Sequence, residues 1–155
     1  MKNIVTCLWF DQQGLDAARF YTSIFPNSEI GTQVVLDENG QPATVPLTVD
    51  FSLNGSPFVA LNGGPMFSFN EAVSFQIMCQ DQAEVDYYWD ALTAGGEESQ
   101  CGWLKDRFGV SWQVVPTRLP ELLGQGDPEV ARKVMEAFMP MRKFDIAALE
   151  RAAVS

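Results

Sequence analysis

The side chains that most often carry metal and proton chemistry are scarce in this chain. It has no histidine, and its three cysteines, Cys7, Cys79 and Cys101, form no Cys-x-x-Cys pair. Cys101 is the thiol we would test for reactivity, although only a nearby lysine could lower its pKa. Carboxylates that could act as bases lie at strand ends or turns, and their spacing assigns no acid–base pair: Asp11, Glu71, Asp81 and Asp106. These residue types indicate a binding pocket more clearly than a reaction.

The glycine-containing segment Asn62-Gly63-Gly64-Pro65 is a second candidate for ligand binding. Paired glycines let a backbone approach a ligand closely, and they suit an inter-unit turn equally well. Binding of S-adenosylmethionine on the common methyltransferase fold needs a strand, a glycine-rich turn and a helix. Here Pro65 and a linker follow the glycines, which is the wrong context for that cofactor.

The elements that must position these residues occur in two similar series. Alternating apolar residues predict strands, and apolar residues at helical spacing predict the helices that follow them. Asn54-Gly55 predicts a hairpin turn, and Asp145 looks like a helix N-cap. The first series has a strand at 3–10, a helix at 15–25 and strands at 28–36, 45–53 and 57–61. The second has a strand at 72–79, a helix at 82–94 and strands at 98–101, 103–105 and 110–115, before helices near 119–123, 129–138 and 145–153.

This order predicts an α+β protein built from two βαβββ modules and a C-terminal helical extension. Strands outnumber the connecting helices, which disfavours a doubly wound parallel sheet. We expect two curved mixed sheets with helices on their outer faces and a cavity between their concave faces. The predicted boundaries are 1–65 for the first module, 66–117 for the second and 118–155 for the extension, all within one structural domain.

Composition narrows the classes of function. The 155 residues are 46% hydrophobic and 19% charged, as in an ordinary globular protein, and carry a formal net charge of −10. No cluster of Lys and Arg could release counterions from a nucleic-acid backbone, so no nucleic-acid partner is expected. No apolar stretch is long enough to cross a bilayer, and the N-terminus lacks a signal-peptide layout. Few and scattered cysteines favour a reducing, cytoplasmic location.

Several long motifs identify a family resemblance. They include Phe20-Tyr21-Thr22-Ser23-Ile24-Phe25-Pro26-Asn27-Ser28 and the run Cys101-Gly102-Trp103-Leu104-Lys105-Asp106-Arg107-Phe108-Gly109-Val110-Ser111-Trp112-Gln113-Val114-Val115-Pro116. The chain resembles the vicinal oxygen chelate superfamily of glyoxalase I, bleomycin-resistance proteins and extradiol dioxygenases. The closer resemblance is to its PhnB-like, demethylubiquinone methyltransferase-type branch, over essentially the whole chain.

The resemblance implies four inward positions that hold a divalent metal in the superfamily. They fall at Thr6, Ser74 and Gln113, while the fourth is open between Val59, Ala60 and Asn62. None of these is a histidine, cysteine or carboxylate, and neutral oxygens alone are weak ligands for hard cations, zinc or iron. We therefore predict that the fold is kept without its metal, and we assign no cofactor.

The resulting hypothesis is a cytoplasmic protein that binds a small, partly aromatic or apolar molecule, with activity left open. It forms a homodimer if it follows the resemblance. The predicted pocket residues are Thr6, Leu8, Phe10, Asn62, Ser74, Gln76 and Gln113. In this arrangement Cys7 and Cys79 face the helices as small core residues, and Trp103 or Phe10 could stack on a planar ligand. The alternatives are a metal-dependent lyase, isomerase or dioxygenase of the superfamily and, less favoured, a methyltransferase.

Overall fold

A computed structural model of the chain describes residues 3–155, so Met1 and Lys2, including their part of the predicted first module, lie outside the described residues. The described residues form two compact units, one ending at Phe69 and the other covering Asn70–Ser155. The fold is α+β, and each unit contains one βαβββ module with a four-stranded mixed sheet. The predicted fold class is confirmed in these respects. Among the described residues, no helix is long and apolar enough to span a bilayer.

The first unit has a single helix against its sheet. Strand β4 pairs in parallel with β1 and antiparallel with β3, and β2 completes the sheet. Asn54 and Gly55 both have positive φ in the β3–β4 turn, as the tight hairpin predicted there requires. The elements are β1 (Thr6–Phe10), α1 (Gly14–Ile24), β2 (Glu29–Val34), β3 (Thr48–Leu53) and β4 (Ser56–Asn62).

Helix α1 covers one face of this sheet. Its buried residues recur at helical spacing, and the Tyr21 ring stacks on Phe51 of β3 with centroids 6.2 Å apart. At its start, a Cβ added to Gly14 would lie 3.1 Å from the Cβ of Ala60. The face that contains Phe51 and Ala60 is therefore the helix side.

The side-chain orientation predicted for β1 is wrong. Leu8 pairs with Ala60, and strand alternation puts Thr6 and Phe10 on the same helix side. Leu8 and Phe10 are 6% and 3% exposed, whereas Cys7, predicted to be a core residue, is exposed on the opposite face. Both faces of β1 carry apolar residues, so the alternation alone could not show which face packs against the helix.

The second unit repeats this plan. Strand β8 pairs in parallel with β5 and antiparallel with β7, and β6 lies at the edge. Asp81 caps α2 by accepting a hydrogen bond from the backbone N–H of Glu84, which orders the start of the helix. The elements are β5 (Ser74–Cys79), α2 (Gln82–Thr93), β6 (Glu97–Glu98), β7 (Trp103–Lys105) and β8 (Ser111–Pro116).

Three further helices belong to this second unit: α3 (Arg118–Leu123), α4 (Pro128–Phe138) and α5 (Ile146–Val154). Asp145 caps α5 through the Ala148 N–H, as predicted. The Gln82 amide of α2 binds the Phe144 carbonyl and the Ile146 N–H, both at 2.9 Å. Their buried apolar side chains form a cluster with the end of β8: Val115, Leu119, Leu122, Val134, Phe144 and Leu149.

Candidate functional site

The second sheet has one face packed against α2, and its opposite face carries mainly polar side chains except at the end of β8, where Val115 packs in the cluster with α3–α5. Cys79 is fully buried, and its thiol lies close enough to Glu84 and Asp81, at the start of α2, for their negative charges to raise its pKa. Cys79 therefore lies on the helix side of the sheet. Burial raises the pKa of this thiol to about 12, which makes it an unreactive core residue, as predicted. Strand alternation places the opposite set of side chains together on the other face, which we call the open face: Ser74, Gln76, Trp103, Lys105, Ser111 and Gln113.

A neutral hydrogen-bond chain runs across this open face. The Gln113 amide Nε2 donates to Ser74 Oγ over 2.8 Å, and Gln76 Nε2 donates to Gln113 Oε1 over 3.3 Å. These bonds fix the Gln113 amide and leave further capacity on it, on the Ser74 hydroxyl and on the Gln76 carbonyl oxygen. The structure therefore brings together the three predicted pocket residues of the second module, with Gln113 in the centre.

Ser111 adds an unusual group beside this chain. It is paired with Ser74 in the register of β5 and β8, and it is only 1% exposed. Among the described residues, its hydroxyl oxygen has no hydrogen-bond partner. It lines a cavity of about 220 Å³ whose other walls are Glu71, Glu97, Glu98, Ser99, Trp103, Leu104 and Lys105. A buried polar group of this kind is rare in native proteins and calls for a partner.

The charged rim of this cavity is defined by an ion pair. Lys105 Nζ binds Glu71 Oε1, and this hydrogen bond lowers the pKa of the Glu71 carboxyl and raises that of the Lys105 ammonium. Glu97 stands opposite Lys105 in the register of β6 and β7 and also favours its charged form. Glu71 and Lys105 are thus both ionised over the neutral pH range.

Asp106, one of the carboxylates considered as a base, has a structural role instead. It is 3% exposed and accepts hydrogen bonds from the N–H groups of Phe108 and Val110 and from Trp112 Nε1 at 2.8 Å. It therefore fixes the β7–β8 turn and the indole beneath the sheet. Asp81 is similarly used in capping α2.

In the first unit, Asn62 holds two elements together. Its Oδ1 accepts from the backbone N–H of Gly14 at the start of α1, and its Nδ2 donates to the Pro46 carbonyl, both at 2.8 Å. This amide is on the helix side but also lines a groove of about 570 Å³ that contains Trp9 and the following glycines. The Trp9 indole donates to the Gly64 carbonyl over 2.9 Å, and its ring occupies the space where a Gly63 side chain would lie. The lack of a side chain at Gly63 therefore leaves room for the Trp9 indole.

The predicted pocket residues therefore fall into two groups. Ser74, Gln76 and Gln113 share the open face of the second sheet, whereas Thr6, Leu8, Phe10 and Asn62 lie on the helix side of the first. Ser111 and its cavity were not predicted. The sequence signal for Ser111 was its position two residues before Gln113 on the same strand, because such residues share a face. The Glu71–Lys105 pair joins positions far apart in sequence, and no local pattern could have indicated it.

Comparisons with known proteins agree with this architecture. The 3-demethylubiquinone-9 3-methyltransferase family matches residues 2–115, so helices α3–α5 lie beyond the matched part. The PhnB protein from Bacillus cereus is 32% identical, with a TM-score of 0.67 over 75% of this chain and 100% of that one. No curated protein matches the chain.

Two more distant structures share the fold. Protein PA1353 from Pseudomonas aeruginosa is 19% identical, with a TM-score of 0.62 over 75% of this chain and 98% of that one. The fosfomycin resistance protein FosX from Listeria monocytogenes is 18% identical, with a TM-score of 0.55 over 81% of this chain and 98% of that one. The fold is thus the one that the resemblance to the vicinal oxygen chelate superfamily implied.

Proposed function

We propose that this chain, which belongs to the 3-demethylubiquinone-9 3-methyltransferase family, binds a small planar molecule with neutral polar groups on the open face of its second sheet. The hydrogen-bond chain Ser74–Gln113–Gln76 is the observation that carries the proposal. A side-chain amide held at both ends presents its remaining donor in a fixed direction. Fixed polar groups beside apolar surface are what small-molecule sites use to orient a ligand.

The aromatic part of the ligand is matched by Trp103. This residue pairs with Gln113 between β7 and β8 and shares its face. Trp103 is half-buried, so one part of the indole can stack on a planar ring while its edge stays packed. Met78 lies two residues beyond Gln76 on the same face and is 43% exposed, which extends the apolar surface.

The proposed site does not use the divalent metal of the superfamily. Ser74 and Gln113 offer only neutral oxygens, and Gln113 Oε1 already accepts from Gln76. Within residues 3–155, no group of three or more Cys, Asp or Glu side chains is arranged to hold a metal ion. A hydroxyl and an amide alone are poor ligands for zinc, iron or a hard cation.

A cytoplasmic homodimer is the state we propose for the protein. The dimer follows from the family resemblance, in which two chains often complete each site, and light scattering after gel filtration measures it directly. A monomeric mass would contradict this part of the proposal and leave the binding face of one chain intact.

The binding proposal is tested with para-methylbenzamide, which combines a ring with a neutral amide. We expect it to raise the melting temperature and to shift the side-chain amide NMR signals of Gln113 and Gln76. Gln113→Ala removes the central amide and should abolish the increase in melting temperature and the shift of the Gln76 signal. Gln125→Ala changes an exposed glutamine in the loop before α4 and is the matched control.

Several outcomes would contradict the proposal. An equal response of wild type and Gln113→Ala would mean that the site lies elsewhere. Stoichiometric metal in the purified protein would overturn the metal-free site. A larger melting-temperature increase with S-adenosylmethionine than with any planar amide would favour a methyltransferase instead.

A further inference from the structure

The cavity beside the hydrogen-bond chain Ser74–Gln113–Gln76 has a charged corner, which contains more acidic than basic side chains. Lys105 is bonded to Glu71, while Glu97 faces the same lysine from β6. The third carboxylate of the cavity, Glu98, is directed to the helix side, where it accepts from Trp89 Nε1 at 2.9 Å and pairs with Arg142. The open-face corner therefore has two carboxylates and one ammonium, and a net charge of −1 favours a cation over an anion.

The buried hydroxyl of Ser111 gives this corner an unused hydrogen-bonding group. It is 1% exposed, lines the cavity and has no partner among the described residues. A hydroxyl oxygen has two lone pairs and can accept from a ligand N–H. Since buried polar groups are nearly always paired in native proteins, this oxygen is a candidate acceptor for a ligand N–H.

Trp103 and the strand spacing limit the shape of the ligand. Trp103 lines the same cavity, and an indole face attracts a positively charged nitrogen. Ser111 and Gln113 are two residues apart on β8, which separates their Cα atoms by about 6.8 Å. A ligand that reaches both would have its cationic nitrogen and its neutral polar group about 7 Å apart.

We propose that the corner formed by Ser111, Glu97 and Trp103 binds a positively charged amino group of a small ligand whose neutral polar group contacts Gln113. The ligand is thus an aromatic or similarly flat amine with an amide, hydroxyl or carbonyl group at its other end. This inference rests on the proposed function, because it adds a charged subsite to the same face. Nothing in it requires a metal or a covalent step.

Three probes that differ at one position separate the two proposals. Para-methylbenzamide reports on the amide site alone, para-(aminomethyl)benzamide adds an ammonium, and para-carbamoylbenzoate adds a carboxylate. Dissociation constants are measured from the indole N–H NMR signal of Trp103, which Trp103→Phe identifies. We expect the aminomethyl probe to bind about two- to fivefold more tightly than the methyl probe, the gain typical of an exposed charge pair. The carboxylate probe should bind more weakly than both.

Substitutions in the corner then test which side chains cause the tighter binding of the aminomethyl probe. Glu97→Gln and Ser111→Ala should each reduce the difference between the aminomethyl and methyl probes without changing binding of the methyl probe. Glu136→Gln removes the same charge from the surface of α4 and should leave the difference unchanged. Lys105→Met removes the repelling ammonium, so it should strengthen binding of the aminomethyl probe.

The outcomes are distinguishable. If the methyl probe binds and the ammonium adds nothing, the charged subsite is wrong and the amide site stands. Tighter binding of the carboxylate probe, lost in Lys105→Met, would show an anion site and overturn the inference. If the aminomethyl probe binds but the methyl probe does not, even when Gln113 is intact, the amide site is wrong and the corner alone is retained. Absence of binding by all three probes would overturn both proposals.

Discussion

Ser111→Ala should stabilise the protein, although it changes a buried residue at the start of a central strand. The hydroxyl is 1% exposed and has no partner among the described residues, so folding removes it from water without a replacement. Ser74 lies beside it in the register but accepts from Gln113 over 2.8 Å. Ser74→Ala is therefore a matched control in which the same atom is removed from a satisfied hydroxyl.

The expected magnitudes follow from this difference. A buried polar group left without a partner costs about 1–3 kcal/mol. Removing the oxygen also removes its dispersion attraction to neighbouring atoms, which offsets part of the gain at about 0.1–0.2 kcal/mol for each atom pair. We therefore expect Ser111→Ala to raise the free energy of unfolding by about 1 kcal/mol and the melting temperature by about 2–4 °C for a chain of this length. Ser74→Ala should lower the free energy of unfolding by about 0.5–1.5 kcal/mol.

The assay is urea unfolding followed by tryptophan fluorescence, with thermal unfolding as a second measurement. The slope against urea must stay the same in all three proteins, so that the midpoints report stability alone. If Ser111→Ala instead lowers stability by the same amount as Ser74→Ala, the Ser111 hydroxyl has a partner in solution, such as a buried water. The unpaired hydroxyl would then no longer be an argument for a ligand. If Ser111→Ala raises the free energy of unfolding and Ser74→Ala lowers it, as expected, the Ser111 hydroxyl reduces stability, as a group kept for binding would.

Three further predictions concern other parts of the fold. Gly63→Ala should cost about 1–3 kcal/mol because its methyl group would overlap the neighbouring indole, whereas Gly31→Ala, with no atom closer than 3.5 Å to its new Cβ, should cost less in the same unfolding assay. Asp106→Ala removes three hydrogen bonds to a buried carboxylate and should cost about 3 kcal/mol or more; a value under about 1 kcal/mol would contradict its role in the turn. Iodoacetamide followed by mass spectrometry should modify exposed Cys7 before Cys79, because burial raises the pKa of the Cys79 thiol to about 12. Burial also raises the pKa of the Cys7 thiol, so the midpoint of its pH–rate curve should lie above that of free cysteine; a midpoint at or below that of free cysteine would be inconsistent with that shift.

The second module was largely predictable from local patterns. Ser74 and Gln76 alternate with the buried Cys79 on β5, and Gln113 alternates with buried neighbours on β8, so polar and apolar residues identify the two faces. The predicted N-cap at Asp145 and the Asn54-Gly55 hairpin were likewise local, since each depends on hydrogen bonds or backbone angles within a few residues. Such features need no knowledge of the rest of the fold.

The orientation of β1 could not be obtained in this way. Its two faces, represented by Leu8 and Trp9, are both apolar, and a period of two residues then fits either orientation. The choice is made by distant partners: Ala60 pairs with Leu8 beneath α1, and the Trp9 indole reaches Gly64 on the opposite side. An error of one residue in the predicted alternation therefore exchanged the two faces along the whole strand.

The sequence alone determined the types and order of the elements, the turns and caps, and the neutral character of the positions that the family resemblance marks for a metal. Only the tertiary structure decided which face of each strand is covered and which charged residues meet. Lys105 and Ser111 lie in one corner because the β7–β8 register pairs them, and Glu71, from the segment before β5, joins them through its ion pair with Lys105. Register depends on hydrogen bonds between residues distant in the chain, so the local spacing of apolar and polar residues cannot specify it.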